Sequence, residues 1–125
     1  MPTLERLEQF IARVESNAHA DAIEEFYTAT ASMSENLAPP RVGRDQLVAN
    51  ERKVVKRAKS VQSTCVRPVT LSGNHVAIRW IFEFEWLDGS TTKMEEVAWQ
   101  RWEGDRIAEE TFFYDPAQRV PKPPA

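Results

Sequence analysis

The sequence predicts an α+β domain in which three helices lie across one face of a curved antiparallel sheet, and three observations carry that expectation. As far as Lys59 the apolar residues recur at helical spacing, and beyond it they alternate with polar ones. The turn-forming groups Gly73-Asn74, Asp88-Gly89 and Glu103-Gly104-Asp105 then leave four long strands in series, which pair as an antiparallel meander. The 125 residues are 42% hydrophobic and 28% charged, enough for one core with no room for a second domain. Helices first and strands after them pack as two layers.

From Thr3 to Asn17, Leu4, Leu7, Phe10, Ile11 and Val14 share one helical face, with Thr3 placed to cap it. A second helix is expected from Asp21 to Ala29, with Asp21 as cap, Glu24 three residues on, and Ile23, Phe26 and Tyr27 on its buried side. Ala31 to Asn36 is short and precedes Pro39-Pro40, which predicts a brief edge strand and a loop. Past a turn at Gly43, a stripe of Leu47, Val48, Glu51, Val54, Val55 and Ala58 predicts a third helix from Arg44 to Lys59. Period two then runs through Val61, Ser63 and Cys65, through Val76 to Trp86, through Thr91 to Trp102 and through Ile107 to Tyr114. Successive strand residues face opposite ways, so Glu96 and Glu110 lie on the other side of the sheet from Glu95 and Glu109. The stretch from Pro116 holds four of the eight prolines. It is expected to be extended or disordered, which gives one domain over residues 1–118 and a dispensable Pro-rich tail over 119–125.

A net charge of −3 supplies no global field for nucleic acid or anionic lipid. The basic run Arg52, Lys53, Lys56, Arg57 and Lys59 reads as a solvated helix face and last turn, where cations suit the helix dipole. No stretch approaches the roughly 18 apolar residues of a membrane span, and the first residues lack a signal-peptide pattern. One cysteine, Cys65, excludes an intrachain disulfide and favours a reducing compartment, so a cytoplasmic location is expected. Neither a phosphate-cradling glycine loop nor a metal-ligand spacing is present, so no cofactor and no metal ion are expected. His19, between two helices, and His75, at a turn, read as surface residues.

Two stretches, ENLAPPRVGRD at 35–45 and EETFFYDP at 109–116, together with the order of elements over residues 3–116, resemble the SnoaL-like polyketide cyclase and limonene epoxide hydrolase branch of the nuclear transport factor two-like superfamily. The resemblance implies a cone-shaped sheet around an apolar cavity, with catalysis by carboxylates buried among hydrophobic side chains. It places Met33, Glu35, Trp80, Phe82, Met94, Glu96, Ala98, Glu110, Phe112 and Tyr114 on the pocket face. The positions that carry the hydrolase's Arg and two Asp fall here on Trp80, Phe82 and Phe112. Aromatic rings cannot activate water, so epoxide hydrolysis by that mechanism is not expected. Glu35 lies close to where the similar ketosteroid isomerases keep their general base.

Glu35, Glu96 and Glu110 are therefore the candidate catalytic residues, because a carboxylate desolvated by apolar neighbours has a raised pKa and can move protons near neutrality. The competing readings are ion pairs: Glu35 with Arg41 or Arg44, and Glu96 or Glu110 with Arg79, Arg101 or Arg106. Glu51, on the apolar stripe of the third helix, is expected to reach the rim. Tyr27, Met33, Val54, Trp80, Phe82, Met94, Phe112 and Tyr114 are the candidate substrate-binding residues. Three functions remain open: an isomerase, cyclase or hydrolase acting on a small apolar, oxygen-bearing molecule; a noncatalytic binder of such a molecule; and an association module. A homodimer is expected through the outward sheet face, where Ile81, Val97, Trp99 and Phe113 would otherwise form an apolar patch.

Overall fold

The computed structural model describes residues 1–124 of the chain. Its helices are α1 (Leu4–Glu15), α2 (His19–Phe26) and α3 (Arg44–Lys56), and its strands are β1 (Tyr27–Glu35), β2 (Arg41–Val42), β3 (Ala58–Ser72), β4 (His75–Trp86), β5 (Thr91–Glu103) and β6 (Arg106–Phe113). A single 3₁₀ turn follows at Pro116–Arg119. The strands form one sheet in the order β2-β1-β6-β5-β4-β3.

The meander from β3 to β6 is antiparallel, as the turn residues predict. β1, in contrast, pairs with β6 in parallel, so the sheet is mixed. A four-strand meander leaves two free edges, β3 and β6, and β1 takes the edge at β6. Parallel neighbours need a long connection, and here it holds α3 and the first three strands of the meander. The outermost strand on that side is the two-residue β2, so β1 is not an edge strand.

Thr3 caps α1 as expected, its hydroxyl oxygen accepting from the Arg6 amide at 3.0 Å. The second helix differs from expectation at both ends. It starts at His19 without a side-chain cap, leaving Asp21 in its first turn, and it stops at Phe26. Tyr27, Thr28 and Thr30 favour the pleated backbone, and β1 begins there rather than at Ala31. α3 likewise ends at Lys56, three residues early, and β3 opens at Ala58.

Leu7, Phe10, Ile11 and Val14 of α1, with Ile23 and Phe26 of α2, pack on Val76, Ile78, Trp80, Ala98, Trp102 and Ile107 of the sheet. Phe10 meets Phe26, Tyr27 and Trp102 edge-on, with centroids 5.4, 6.2 and 6.0 Å away. Ala98, expected on the pocket face, is wholly buried in this core.

The Pro-rich segment is not free of the domain. β6 stops pairing with β5 at Val97, which leaves the edge of β5 from Thr91 to Glu96 open. The chain returns along it: the Gln118 side-chain oxygen accepts from the Glu95 amide at 2.6 Å, and Thr91 and Lys122 exchange backbone hydrogen bonds of 3.0 and 2.7 Å. An unpaired strand edge is a row of unused donors and acceptors, and these contacts occupy part of it. Of the two states expected for the tail over 119–125, the described residues past Arg119 take the extended one, bridged to β5 at Lys122.

Candidate functional site

Between the helices and the concave face of the sheet lies a cavity of about 850 Å³, which opens toward the β4–β5 turn. That volume is in the range of small-molecule sites. Every candidate named from the sequence lines it: Tyr27, Met33 and Glu35 from β1, Val54 from α3, Trp80 and Phe82 from β4, Met94 and Glu96 from β5, Glu110 and Phe112 from β6, and Tyr114 just beyond.

Strand alternation turns one wall into a ladder of rings. Trp80 stacks on Phe82 with centroids 5.4 Å apart and an interplanar angle of 18°, and Phe84 stacks on Trp86 at 4.9 Å and 2°. The ladder runs from the buried floor at Trp80 to the mouth, where the Arg57 guanidinium lies 5.9 Å from the Trp86 ring.

Several carboxyl groups also line the cavity. Glu110 is 1% exposed, and both its oxygens have partners: Oε1 accepts from the Tyr27 hydroxyl and Oε2 from the Gln100 side-chain amide at 2.6 Å. Gln100 is held in turn by the Trp102 indole, which donates to its Oε1 at 2.9 Å. Burial pushes the Glu110 carboxyl up to about 7, against these two hydrogen bonds, which favour the charged form. Burial and the Glu110 charge push the Tyr27 phenol well above its ordinary value.

Glu96 differs. Among the described residues no hydrogen-bond donor reaches its carboxyl, and burial, followed by the charges of Glu110, Glu35 and Glu51, pushes it up to about 8. It therefore holds a proton at neutral pH. Glu35 sits at the mouth with its side chain 31% exposed, and Arg41 and Arg119 approach its Oε2 at 3.7 and 3.4 Å. Burial and the nearby Glu35 charge raise the Tyr114 phenol. The ion pair to Arg41 is one the sequence offered; Arg44 instead donates to the Tyr27 carbonyl at 3.1 Å. Among the alternative pairs, Arg101 meets the outward Glu109 at 3.9 Å, while Glu110 stays inside.

Four groups were missed or misplaced. His19, expected on the surface, lines the cavity: Nε2 lies 2.6 Å from the Ser63 hydroxyl, Nδ1 lies 3.3 Å from Glu51, and the ring meets Phe82 edge-on at 5.2 Å. Glu51 turns inward to it rather than only snorkelling to the rim. The signal for His19 was its position four residues before Ile23, on the buried side of α2. Gln100 shares the inward parity of Glu96 and Ala98 on β5, and an inward amide on a core strand calls for a polar partner. Nothing local announced Arg119, which reaches the mouth only because the chain returns along β5.

Among the described residues no group of three or more His, Cys, Asp or Glu is placed to hold a metal ion, and no helix is long and apolar enough to cross a membrane. Residues 7–110 match the sequence model of the SnoaL-like domain. Solved structures share the fold at low identity. A SnoaL-like protein from Mesorhizobium loti superposes with a TM-score of 0.75 at 18% identity over 91% of this chain and 100% of that one. A protein with a ketosteroid isomerase-like fold from Catenulispora acidiphila, in complex with trimethylamine, gives 0.76 at 15% identity over 93% and 89%. TerC co-crystallised with polyporic acid gives 0.75 at 13% identity over 94% of each chain. No curated protein matches the chain.

Proposed function

The chain belongs to the SnoaL-like family, and from that premise we propose that it binds a small apolar, oxygen-bearing organic molecule in the cavity and moves protons on it without a cofactor, as an isomerase, cyclase or hydrolase does. One observation carries this reading: Glu96 faces the cavity desolvated and, among the described residues, without a hydrogen-bond donor, while Glu35, ion-paired at the mouth, shares the same cavity. A desolvated carboxyl that keeps its proton can donate a hydrogen bond, while an ion-paired carboxylate in the same cavity can accept a proton. In the proposed chemistry Glu35 removes a proton next to a carbonyl and Glu96 donates a hydrogen bond to the oxyanion that forms, which is strongest where water is excluded. Tyr27 is engaged with Glu110 and supports it rather than the substrate. Trp80, Phe82, Met94 and Phe112 hold the apolar body.

The test is deuterium exchange at the α-carbon of a panel of neutral cyclic ketones in D₂O, followed by NMR. Glu35→Gln and Glu96→Gln should each slow exchange by about 10² to 10⁴, with ligand affinity kept within about tenfold. Exchange no faster than in buffer, from a protein that binds the same ketones, would leave the second reading, a noncatalytic binder, which the four-ring wall of β4 favours.

The proposed assembly is a homodimer through the outer sheet face. Val97, Trp99 and Phe113 are there 41%, 47% and 44% exposed, and Val97 and Phe113 are register partners. Arg79 lies beside Val97 and Glu95 beside Ile81, so a twofold copy would bring both charge signs to one apolar patch. Light scattering should give twice the chain mass at micromolar concentration; a monomer would contradict it. The single cysteine, unbridged at Cys65, is consistent with a cytoplasmic location.

A further inference from the structure

The return of the chain along β5 places two of its residues, Arg119 and Pro121, in the lining of the cavity. Asp115 caps the 3₁₀ turn, its carboxylate accepting from the Ala117 amide at 3.0 Å, and so aims the following residues across the mouth. Arg119 then reaches Glu35, and Pro121 joins it in the cavity lining. Beyond the Thr91–Lys122 pair, the segment ends against the β4–β5 turn: a Cβ built on Gly89 would lie 3.3 Å from Pro124 Cγ.

We propose that Pro116–Pro124 is a strap that narrows the mouth of the cavity, with Arg119 as its latch on Glu35, so that ligands enter more freely when the strap leaves the open edge of β5. This rests on reading the cavity as a ligand site. The strap is held weakly enough to open. The 3₁₀ turn contributes no buried residue, the strap's pairing to β5 is one exchanged backbone pair and one side-chain bond, and the Arg119–Glu35 contact is long and half in water. Segments with few buried apolar contacts open at far lower cost than the core that carries them. Its docked position also engages Glu35: Oε2 faces two guanidinium groups, and one of them leaves as Arg119 withdraws. The latch thereby couples access to the availability of the base, and it favours ligands whose own acidic or hydroxyl group can take the place of Glu35 on Arg119.

The test needs no ligand. In a Cys65→Ser background, Met94→Cys places one thiol on the cavity wall, and its rate of labelling by a bulky maleimide reads how often the mouth is open. Deleting residues 119–125 should raise that rate about tenfold or more at unchanged circular dichroism, and Lys122→Pro, which removes one strap donor and leaves the rest, should raise it in the same direction. Should the truncated chain fail to fold, Lys122→Pro alone decides. Rates that agree within about twofold between the folded variants and the parent would overturn the strap. Faster labelling of the variants, together with no ketone binding by the unlabelled chain that keeps Met94, would uphold the strap and sink the ligand-site reading instead.

Discussion

Glu35 and Glu110 lie on neighbouring strands, two positions apart in register, and both line one cavity. They differ in what surrounds them. The mouth carboxylate is partly in water and faces two arginines; the floor carboxylate is sealed from water and held by neutral donors, a phenol and an amide. Charge at the mouth is compensated by charge, while at the floor burial works against it and the carboxyl is pushed up to about 7. Glu96 is a third case, desolvated with neither compensation, and goes higher still. The chemistry of the cavity is thus set by depth and partners rather than by residue type.

The contrast is broken most severely at the floor. Gln100→Leu leaves the Glu110 Oε2 and the Trp102 indole N–H buried without partners, and should destabilise the fold by about 2–5 kcal/mol in denaturant titrations. A loss below about 1 kcal/mol would show that the network is not a structural unit.

A second, smaller effect appears with pH. Glu96 and Glu110 have folded-state pKa values raised above their unfolded ones, so the folded protein binds more protons in the interval between them. Their contribution is full below about pH 4.5 and is lost as pH rises through 7 and 8. The melting temperature should fall from pH 5 to pH 9, and Glu96→Gln should flatten that slope; a melting temperature that rises over this range in the parent would contradict it.

At the mouth the expected effect is smallest. Arg119→Gln removes an exposed ion pair, and its cost should stay under about 1 kcal/mol and shrink further in salt. An equal cost at mouth and floor would erase the distinction between them.

Much of this contrast was legible before any coordinates. Period two from Val76 onward put Trp80, Phe82, Met94, Glu96 and Glu110 on one face, because strand parity is a local property of the backbone. Helix ends were less legible: Tyr27 to Ala29 continue a helical pattern as well as they begin a strand, and the sheet decides between them. The pairing of β1 with β6 and the docking of Arg119 on Glu35 join residues 77 or more apart in sequence, and no local pattern encodes which free edge a returning segment takes. His19 was misread because its two partners, Ser63 and Glu51, lie on other elements.

The central claim, that depth turns ordinary glutamates into proton carriers near neutrality, is tested most directly by a ¹³C NMR titration of the glutamate side-chain carboxyls, with Glu96 and Glu110 assigned by their Gln variants. The account predicts midpoints near 8 for Glu96 and near 7 for Glu110. Midpoints for both at the ordinary glutamate value of about 4.3 would contradict it.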